Sequence, residues 1–292
     1  MDPYRLKARL KKLSLFSDII IQGLYAGNYK SLFRGQGMDF QEVRDYVPGD
    51  DIRHIDWNVT SRFGTPHTKV FREEKELNLF LLVDSSLSMQ SGTGIYTKSE
   101  MAEILFSIFS LAALENGDKV GALFFGESVH HSISPRKGKT HILALIKNFS
   151  QHGHGKKGSD ISLALKTARE LLKRRSMCIL ISDFRSHGFL SDLFLLKAHH
   201  DLMLVRVTDK TDYELPFSGL VKLQDPETGE KLLAHGASQY FKNSYTKEWE
   251  NSSALLTEES RKNRIPLFEI STESDPVEEI KRFFSIRKGK RL

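Results

Sequence analysis

The sequence predicts an α/β protein with a doubly wound, mostly parallel sheet. Two nearly unbroken apolar runs, 77–83 and 177–181, are too short to span a membrane and are followed by polar residues. This is the pattern of strands buried on both faces, as in the middle of a parallel sheet. An amphipathic stretch over 161–173 precedes the second run, and parallel strands need such a crossover. Strands and helices are therefore expected to alternate along most of the chain.

The elements after the first strand are predicted from periodicity and from turn residues. Helical spacing over 99–115 stops at Asn116-Gly117-Asp118, and Gly126-Glu127-Ser128 marks a hairpin. The turn at 225–229 marks a second hairpin near 218–235, which is inserted into the alternation of strands and helices. The further predicted elements are strands over 120–125, 129–133, 202–207 and 266–270, helices over 142–149, 190–199 and 244–262, and a last helix that begins at Asp275 and Pro276.

The part of the chain before residue 76 has a different character. Residues 1–34 carry apolar side chains at roughly helical spacing, whereas 35–76 alternate arginines and acids around isolated aromatics. We therefore predict a helical segment and arm over 1–75, and an α/β domain over 76–292. Because the arm has too few apolar side chains to bury a core of its own, we expect it to pack on the α/β domain as part of one folding unit.

Three acids in the arm, Asp50, Asp51 and Asp56, allow two interpretations. They could form a metal cluster, or they could pair with arginines of the same region. An Asp-Asp pair after Pro48-Gly49 is common turn chemistry. Ion pairing is the favoured interpretation, since the arm offers several cationic partners: Arg44, Arg53, Arg62 and Arg72.

Composition sets limits on the function. The formal charge is +6 and the isoelectric point is near 9.2, with much of the excess in 5–12 and 287–291. Without interleaved aromatics such basic ends are usually solvated, so we do not expect a nucleic-acid partner. Cys178 is the single cysteine and lies in an apolar run, which favours a buried thiol in a reducing compartment. The lack of a membrane-spanning segment and of a signal-peptide core predicts a cytoplasmic protein.

Polar side chains follow the first central strand at its carboxyl end. Asp84, Ser86 and Ser88 alternate there, so extended or looping backbone can aim three oxygens at one point. Ser159 precedes the helix that starts near 161, and Asp183 follows the second apolar run. In a parallel sheet these loops meet at the edge where ligands bind. Two carboxylates and three hydroxyls predict a site for Mg²⁺ or Mn²⁺, with waters completing the coordination.

Simpler interpretations of these loops stay open. Asp84-Ser85-Ser86 could be a turn, with a serine acting as N-cap of the following helix. The loop over 151–158 carries His152 and His154, but a zinc site there lacks a third ligand, so a solvated loop is favoured. In that loop Lys156 and Lys157 would add positive potential beside the metal.

The pattern of Asp84, Ser86 and Ser88 resembles the D-x-S-x-S motif of von Willebrand factor A-type domains, which carry a metal-ion-dependent adhesion site. Ser159 stands where that family usually has threonine, and Asp183 stands at its second acidic position. The resemblance implies a Rossmann-type, von Willebrand A-like fold with an antiparallel edge strand. It also implies a metal with one coordination position left for an aspartate or glutamate from a partner protein.

The arm carries a second resemblance. It has Gly-x-Gly-x-Asp-Phe at 35–40, Arg-x-Tyr at 44–46, Gly-Asp-Asp-x-Arg-x-Ile-Asp-Trp at 49–57 and Thr-Ser-Arg at 60–62. This series resembles the bacterial family DUF58, in which such a segment precedes a von Willebrand A-like domain; Ser61 replaces the usual alanine. That family has no assigned activity, but its company with MoxR-type AAA+ ATPases implies such an ATPase as the partner.

Two classes of function follow from these features. The leading hypothesis is a non-enzymatic, metal-dependent protein-binding module that serves a MoxR-type ATPase as adaptor or substrate handler. The alternative is a metal-dependent hydrolase or phosphotransferase that uses the Asp84 and Asp183 site. No motif fixes an acid or base beside a nucleophile. Residues 84–86 lack the second aspartate of a D-x-D phosphotransferase, and 126–130 lack the last glycine of a nucleophile elbow.

Overall fold

The computed structural model describes residues 39–72, 77–152, 157–214, 220–224, 231–235 and 238–289. The chain divides into two compact units, a small one of Lys30–Glu76 and a larger one that contains Leu77–Leu292. The helical segment predicted over 1–34, the first part of the arm motif and the turn predicted at 225–229 lie outside the described residues.

The smaller unit is built on two antiparallel strands joined by short helical segments. Its described elements are the strand β1 (Asp39–Asp45), a 3₁₀ turn (Ile52–His54), the helix α1 (Trp57–Phe63) and the strand β2 (His67–Arg72), which pairs with β1. Asp56 caps α1, because its carboxylate accepts hydrogen bonds from the first backbone N–H groups of the helix.

The three acids of the arm are paired with cations of the same unit. The pairs are Asp50 with Arg44 at 2.8 Å, Asp51 with Arg53 at 2.7 Å, and Asp56 with Lys69 at 3.2 Å. The hydrogen bond from Arg53 lowers the pKa of Asp51 to about 2. Ion pairing, the favoured interpretation, is confirmed, although Asp56 pairs with a lysine rather than an arginine.

A six-stranded sheet organises the larger unit. The strands of this unit are β3 (Asn78–Asp84), β4 (Lys119–Phe125), β5 (Val129–Arg136), β6 (Met177–Ser182), β7 (Asp201–Thr208), β8 (Leu220–Gln224), β9 (Lys231–His235) and β10 (Leu267–Ser271). Six of them form one sheet in the order β10-β7-β6-β3-β4-β5, and all neighbours in it are parallel except β4 and β5. β8 and β9 pair antiparallel with each other. The predicted, mostly parallel α/β sheet is confirmed.

Helices flank this sheet. They are α2 (Lys98–Glu115), α3 (Lys139–His152), α4 (Ile161–Leu171), α5 (Leu190–His199), α6 (Gln239–Lys262) and α7 (Pro276–Gly289). Over the described part of the chain, none of the helices has both the length and the apolar character needed to cross a bilayer.

The central strands are buried because both of their faces meet helices. On one face, Leu82 and Leu180 lie in a buried cluster with Leu165 of α4. On the other, Phe124 of β4 packs against Phe106 of α2 and Phe149 of α3, with ring centroids 5.8 Å away in each case. Because side chains alternate along a strand, burial of both faces requires an unbroken apolar run.

Several element boundaries differ from the prediction, and α3 is one of them, since it spans Lys139–His152 rather than 142–149. α6 begins at Gln239 rather than near 244, and Phe241, Tyr245 and Trp249 recur along it at a spacing of four residues, so the helical pattern already starts in its first turn. β5 continues through Pro135 to Arg136, beyond the predicted end at 133. A proline is tolerated there because β5 is the outer strand of the sheet, where an N–H group is not needed for pairing on both sides.

Cys178 lies in β6 and is fully buried. Burial raises the pKa of its thiol, so the reactive thiolate is suppressed. The predicted burial of this thiol is confirmed.

Candidate metal centre

Asp84 is the last residue of β3 and lies, nearly fully buried, at the carboxyl edge of the sheet. Its Oδ1 accepts a hydrogen bond from the backbone N–H of Ser86 at 2.9 Å. Its Oδ2 accepts from the hydroxyls of Ser159 at 2.8 Å and Ser182 at 2.6 Å. Burial, together with the charge of Asp183, raises the pKa of Asp84 to about 6. Hydroxyl and amide groups thus surround this carboxylate without neutralising its charge.

Ser86 and Ser88 link Asp84 to Asp183. The two serine Oγ atoms lie 2.9 Å apart, and Ser88 lies close enough to Asp183 to contribute to lowering the pKa of that carboxyl. With Ser159 on Asp84, the five residues predicted to hold a metal form one continuous cluster. They come from the loops after β3 and β6 and from the segment before α4. The structure brings all five together, and the bound metal itself stays a prediction.

The serines after Asp84 do not cap a helix. A single 3₁₀ turn follows at Leu87–Gln90, and Ser86 at its N-cap position makes no capping bond with its side chain. The next α-helix, α2, is capped instead by Thr97, whose hydroxyl accepts a bond from Glu100 N. The N-cap interpretation of these serines is therefore wrong: the hydroxyl of Ser85 donates to Phe125 O at 2.6 Å, and those of Ser86 and Ser88 face each other.

The segment that carries Ser159 is held against the turn between β4 and β5. The backbone N–H of Asp160 donates to Gly126 O at 2.8 Å, and the N–H of Glu127 donates to Lys157 O at 2.8 Å. Asp160 also caps α4 by accepting from Leu163 N at 2.8 Å. Ser159 therefore points at Asp84 from a segment fixed on both sides.

Gly158→Ala should destabilise the chain more than the same change at Gly188. Gly158 has φ +63°, and a Cβ there would lie 2.7 Å from the Cβ of Glu127. We expect a loss of about 2–3 kcal/mol in the free energy of unfolding, from left-handed backbone strain plus the clash. Urea denaturation measures it. Gly188→Ala is the control, because Gly188 has φ +80° with open space around it, and equal losses in the two variants would contradict the role of close packing.

Lys98, at the first turn of α2, contacts the cluster and was not predicted from the sequence. Its side chain is fully buried, and its Nζ lies 3.0 Å from Asp183 Oδ2 and 2.6 Å from Asp212 Oδ1. Burial disfavours the ammonium, but the two carboxylates outweigh that effect and raise the pKa of Lys98. Lys98 is therefore a charged group buried beside the candidate metal ligands.

Arg185 completes the ion-pair cluster. Its Nη2 lies 2.7 Å from Asp212 Oδ1, and its Nε lies 3.8 Å from Asp183 Oδ2. Burial tends to raise the pKa of Asp183, yet Lys98 and Arg185 lower it overall. Asp183 is thus already balanced by protein cations, whereas Asp84 is not.

One sequence signal could have pointed to Lys98. A lysine in the first turn of a helix faces the positive end of the helix dipole, which is an unfavourable position for a cation. Its presence there indicates a compensating acid nearby. Neither Asp212 nor Arg185 offers a comparable local signal.

Phe184 marks strained backbone at the same edge. It follows Asp183 directly and has φ +56°, which is uncommon for a residue with a bulky side chain. Its backbone N–H donates to Ser182 Oγ at 2.9 Å, the same hydroxyl that donates to Asp84. The turn therefore orients both Ser182 and Asp183 at the cluster.

The loop over 151–158, beside the cluster, is described only in part. His154 and Lys156 lie outside the described residues, and His152 is placed only as the last residue of α3. Lys157 is exposed. Within the described ranges, no three histidine, cysteine or acidic side chains form a group able to hold a metal.

The cluster fits a hard cation through its oxygens. Asp84, Ser86, Ser88 and Ser159 provide one unneutralised carboxylate and three hydroxyls, a set that suits Mg²⁺ or Mn²⁺ with waters retained. Asp183 fits a role outside the direct metal ligands, because Lys98 already bonds one of its carboxylate oxygens.

The chain is therefore an α/β protein in which buried carboxylates and hydroxyls form a cluster at the carboxyl ends of the parallel strands. The family described as "Protein of unknown function DUF58" matches residues 42–255 of the chain. The chain belongs to the DUF58 family, and the resemblance of the arm to that family is confirmed.

Similar proteins are found among curated sequences and solved structures. An uncharacterized protein of Mycobacterium tuberculosis is 29% identical over 292 residues, which cover 99% of this chain and 92% of that protein. An uncharacterized protein of Mycobacterium avium is 28% identical over 130 residues, or 44% of this chain and 76% of that protein. The crystal structure of the conserved hypothetical protein BatB from Bacteroides thetaiotaomicron is 14% identical with a TM-score of 0.47, covering 72% of this chain and 98% of that one. An aerotolerance-related membrane protein from Bacteroides fragilis is 14% identical with a TM-score of 0.45, covering 73% of this chain and 99% of that one.

Proposed function

We propose that this chain is a protein-binding module in which Mg²⁺ or Mn²⁺ captures an aspartate or glutamate of a partner. The cation would be held by Asp84, Ser86, Ser88 and Ser159, with Asp183 behind Ser88. One observation carries the proposal: a buried carboxylate at the ligand-binding edge of the sheet is surrounded by hydroxyls and, among the described residues, has no cationic side chain bonded to it. A bound divalent cation would supply the missing charge and a position for an external carboxylate.

The proposed fold type is the von Willebrand A-like arrangement. The parallel sheet with one antiparallel outer strand, and the cluster at the carboxyl ends of β3 and β6, support it. In such a sheet the cluster is placed where loops can meet a ligand. The order of the acids and hydroxyls along the chain, from Asp84 to Asp183, supports it as well.

Binding is favoured over hydrolysis by the groups that contact Asp84. These groups are hydroxyls and a backbone amide, which hold a position but do not take up a proton at neutral pH. Hydrolysis requires a group that can deprotonate water or protonate a leaving oxygen. Asp84 itself could accept a proton, but among the described residues no second acid or base is hydrogen bonded to it, so the geometry around Asp84 supports cation and carboxylate binding.

The proposed partner is a MoxR-type AAA+ ATPase, for which the chain would act as adaptor or substrate handler in the cytoplasm. This part of the proposal derives from the family resemblance. The candidate site adds how the two proteins would bind, through a metal ion and a carboxylate. A surface aspartate or glutamate of the ATPase, or of its substrate, would provide the carboxylate for a charge-assisted bond.

The test is capture of the host's purified MoxR-type ATPase by the immobilised full chain. We expect capture in Mg²⁺ or Mn²⁺ and a loss of at least about tenfold in affinity when EDTA removes the cation, since the bridging charge is then gone. Circular dichroism of the chelated chain controls for unfolding. Capture of equal strength with and without the cation would exclude the metal-dependent mode, and Mn²⁺-dependent phosphoester turnover would favour the hydrolase alternative.

A further inference from the structure

Lys98 contributes one of the two positive charges that partly balance three carboxylates around the candidate site. Three carboxylates, Asp84, Asp183 and Asp212, and two protein cations, Lys98 and Arg185, lie within the chain of contacts around the candidate site. Without a metal the five groups leave one negative charge. A divalent cation would turn this into one positive charge, which an incoming carboxylate would cancel.

We propose that Lys98 is a built-in counter-ion that makes the site hold a divalent cation weakly alone and firmly only together with an acidic side chain of a partner. This inference rests on the proposed function and adds a mechanism of coupling to it. The site would respond to the partner's carboxylate rather than to the cation alone.

The placement of Lys98 supports a role beyond that of an ordinary surface ion pair. Its side chain is fully buried, whereas the side chain of Arg185 is 40% exposed. A buried ammonium is screened less by water and salt than an exposed one, so its repulsion of a nearby cation is strong. Because Lys98 touches Asp183 Oδ2 directly, it also competes with a metal for that oxygen.

A purely structural role is the competing hypothesis. Lys98 joins the start of α2 to the loop after β6 through Asp183 and to the 3₁₀ turn Lys210–Asp212 through Asp212. Such a tether would stabilise the fold without changing how the site binds a cation. Metal affinity separates the two roles, because a tether alone gives no reason for tighter metal binding once it is removed.

The experiment measures Mn²⁺ affinity of the full chain by calorimetry and by electron paramagnetic resonance. We expect Lys98→Met to tighten Mn²⁺ binding about tenfold or more, because one repelling charge is removed. Asp212→Asn should weaken it about tenfold, because one attracting charge is removed while both cations remain. The double variant Lys98→Met with Asp212→Asn should bind nearly as the unaltered chain does. Lys262→Met, an exposed lysine on α6 paired with Glu258, is the control and should change nothing.

Coupling is measured with a blocked tripeptide that contains one aspartate, and with its asparagine counterpart. In the unaltered chain the aspartate peptide should tighten Mn²⁺ binding severalfold and the asparagine peptide should not. In Lys98→Met the gain should shrink, because metal and cluster are then already neutral together. If Lys98→Met fails to fold, the Asp212→Asn and double variants still give the sign of the charge effect.

The outcomes distinguish this inference from the proposed function. Mn²⁺ binding that is equal in the unaltered chain, Lys98→Met and Asp212→Asn overturns the counter-ion role and leaves the metal site standing. Binding only in Lys98→Met supports the counter-ion role and overturns the metal-dependent function of the unaltered chain. No Mn²⁺ binding in any variant, with or without the aspartate peptide, overturns both.

Discussion

Asp84→Asn is expected to abolish binding of Mg²⁺ and Mn²⁺ while the chain stays folded. Asp84 is the carboxylate of the cluster that no cation of the described residues balances, so the metal would lose its main charged ligand. Asparagine has nearly the same shape, and its oxygen can keep the bond from Ser86 N. The hydroxyls of Ser159 and Ser182 can rotate and accept from the new amide group. We therefore expect at least about a hundredfold loss of Mn²⁺ affinity and a melting temperature within a few degrees of the unaltered chain.

Calorimetric titration with Mn²⁺ and thermal denaturation measure these two effects. Asp118→Asn is a matched control, because Asp118 is also buried and accepts a backbone bond, from Leu77 N at 3.0 Å, at the opposite end of β3. It should leave metal binding unchanged. Mn²⁺ affinity that is the same in the Asp84 variant and the unaltered chain would mean that the cation site is assigned to the wrong residue.

Phe124→Ala should cost about 3–5 kcal/mol in the free energy of unfolding. Phe124 is fully buried in β4 and connects the sheet to α2 through Phe106 and to α3 through Phe149. Truncation leaves a cavity bordered by two rings that also contact each other, at 5.2 Å between centroids, so collapse is limited. Both the lost burial and the cavity contribute to the cost.

Urea denaturation followed by far-ultraviolet circular dichroism measures the loss. Phe63→Ala is the control, since the same atoms are removed from a side chain that is 70% exposed, and it should change stability by less than about 1 kcal/mol. A loss under about 1.5 kcal/mol at Phe124 would show that α2 and α3 can close over the gap.

The sheet could be predicted because its strands carry the signal locally. Leu79 to Val83 of β3 and the whole of β6 are buried on both faces, and an unbroken apolar run of this length is typical of a strand that helices cover on both sides. The five candidate ligands could be predicted for a related reason. Each follows a strand or precedes a helix that the pattern itself locates, so a parallel sheet brings them to one edge.

The ion-pair cluster could not be predicted because its partners are far apart in the chain. Lys98 lies 85 positions from Asp183 and 114 from Asp212. Which acid meets which cation depends on where the start of α2 and the turn after β7 lie in the folded chain. No local pattern in the sequence gives either position. The start of α6 could have been predicted, because Phe241, Tyr245 and Trp249 already follow a helical spacing of four residues.

Pro135 has a consequence for self-association. An outer strand offers unpaired N–H and C=O groups, which can template another chain and lead to aggregation. Pro135 has no N–H to offer, and β5 shifts its register against β4 opposite Val120 and Ala122. Such an irregularity makes an outer strand a poorer template for pairing. Strand addition along β5 is interrupted at this point, and a Pro135→Val variant should form soluble oligomers more readily at high concentration.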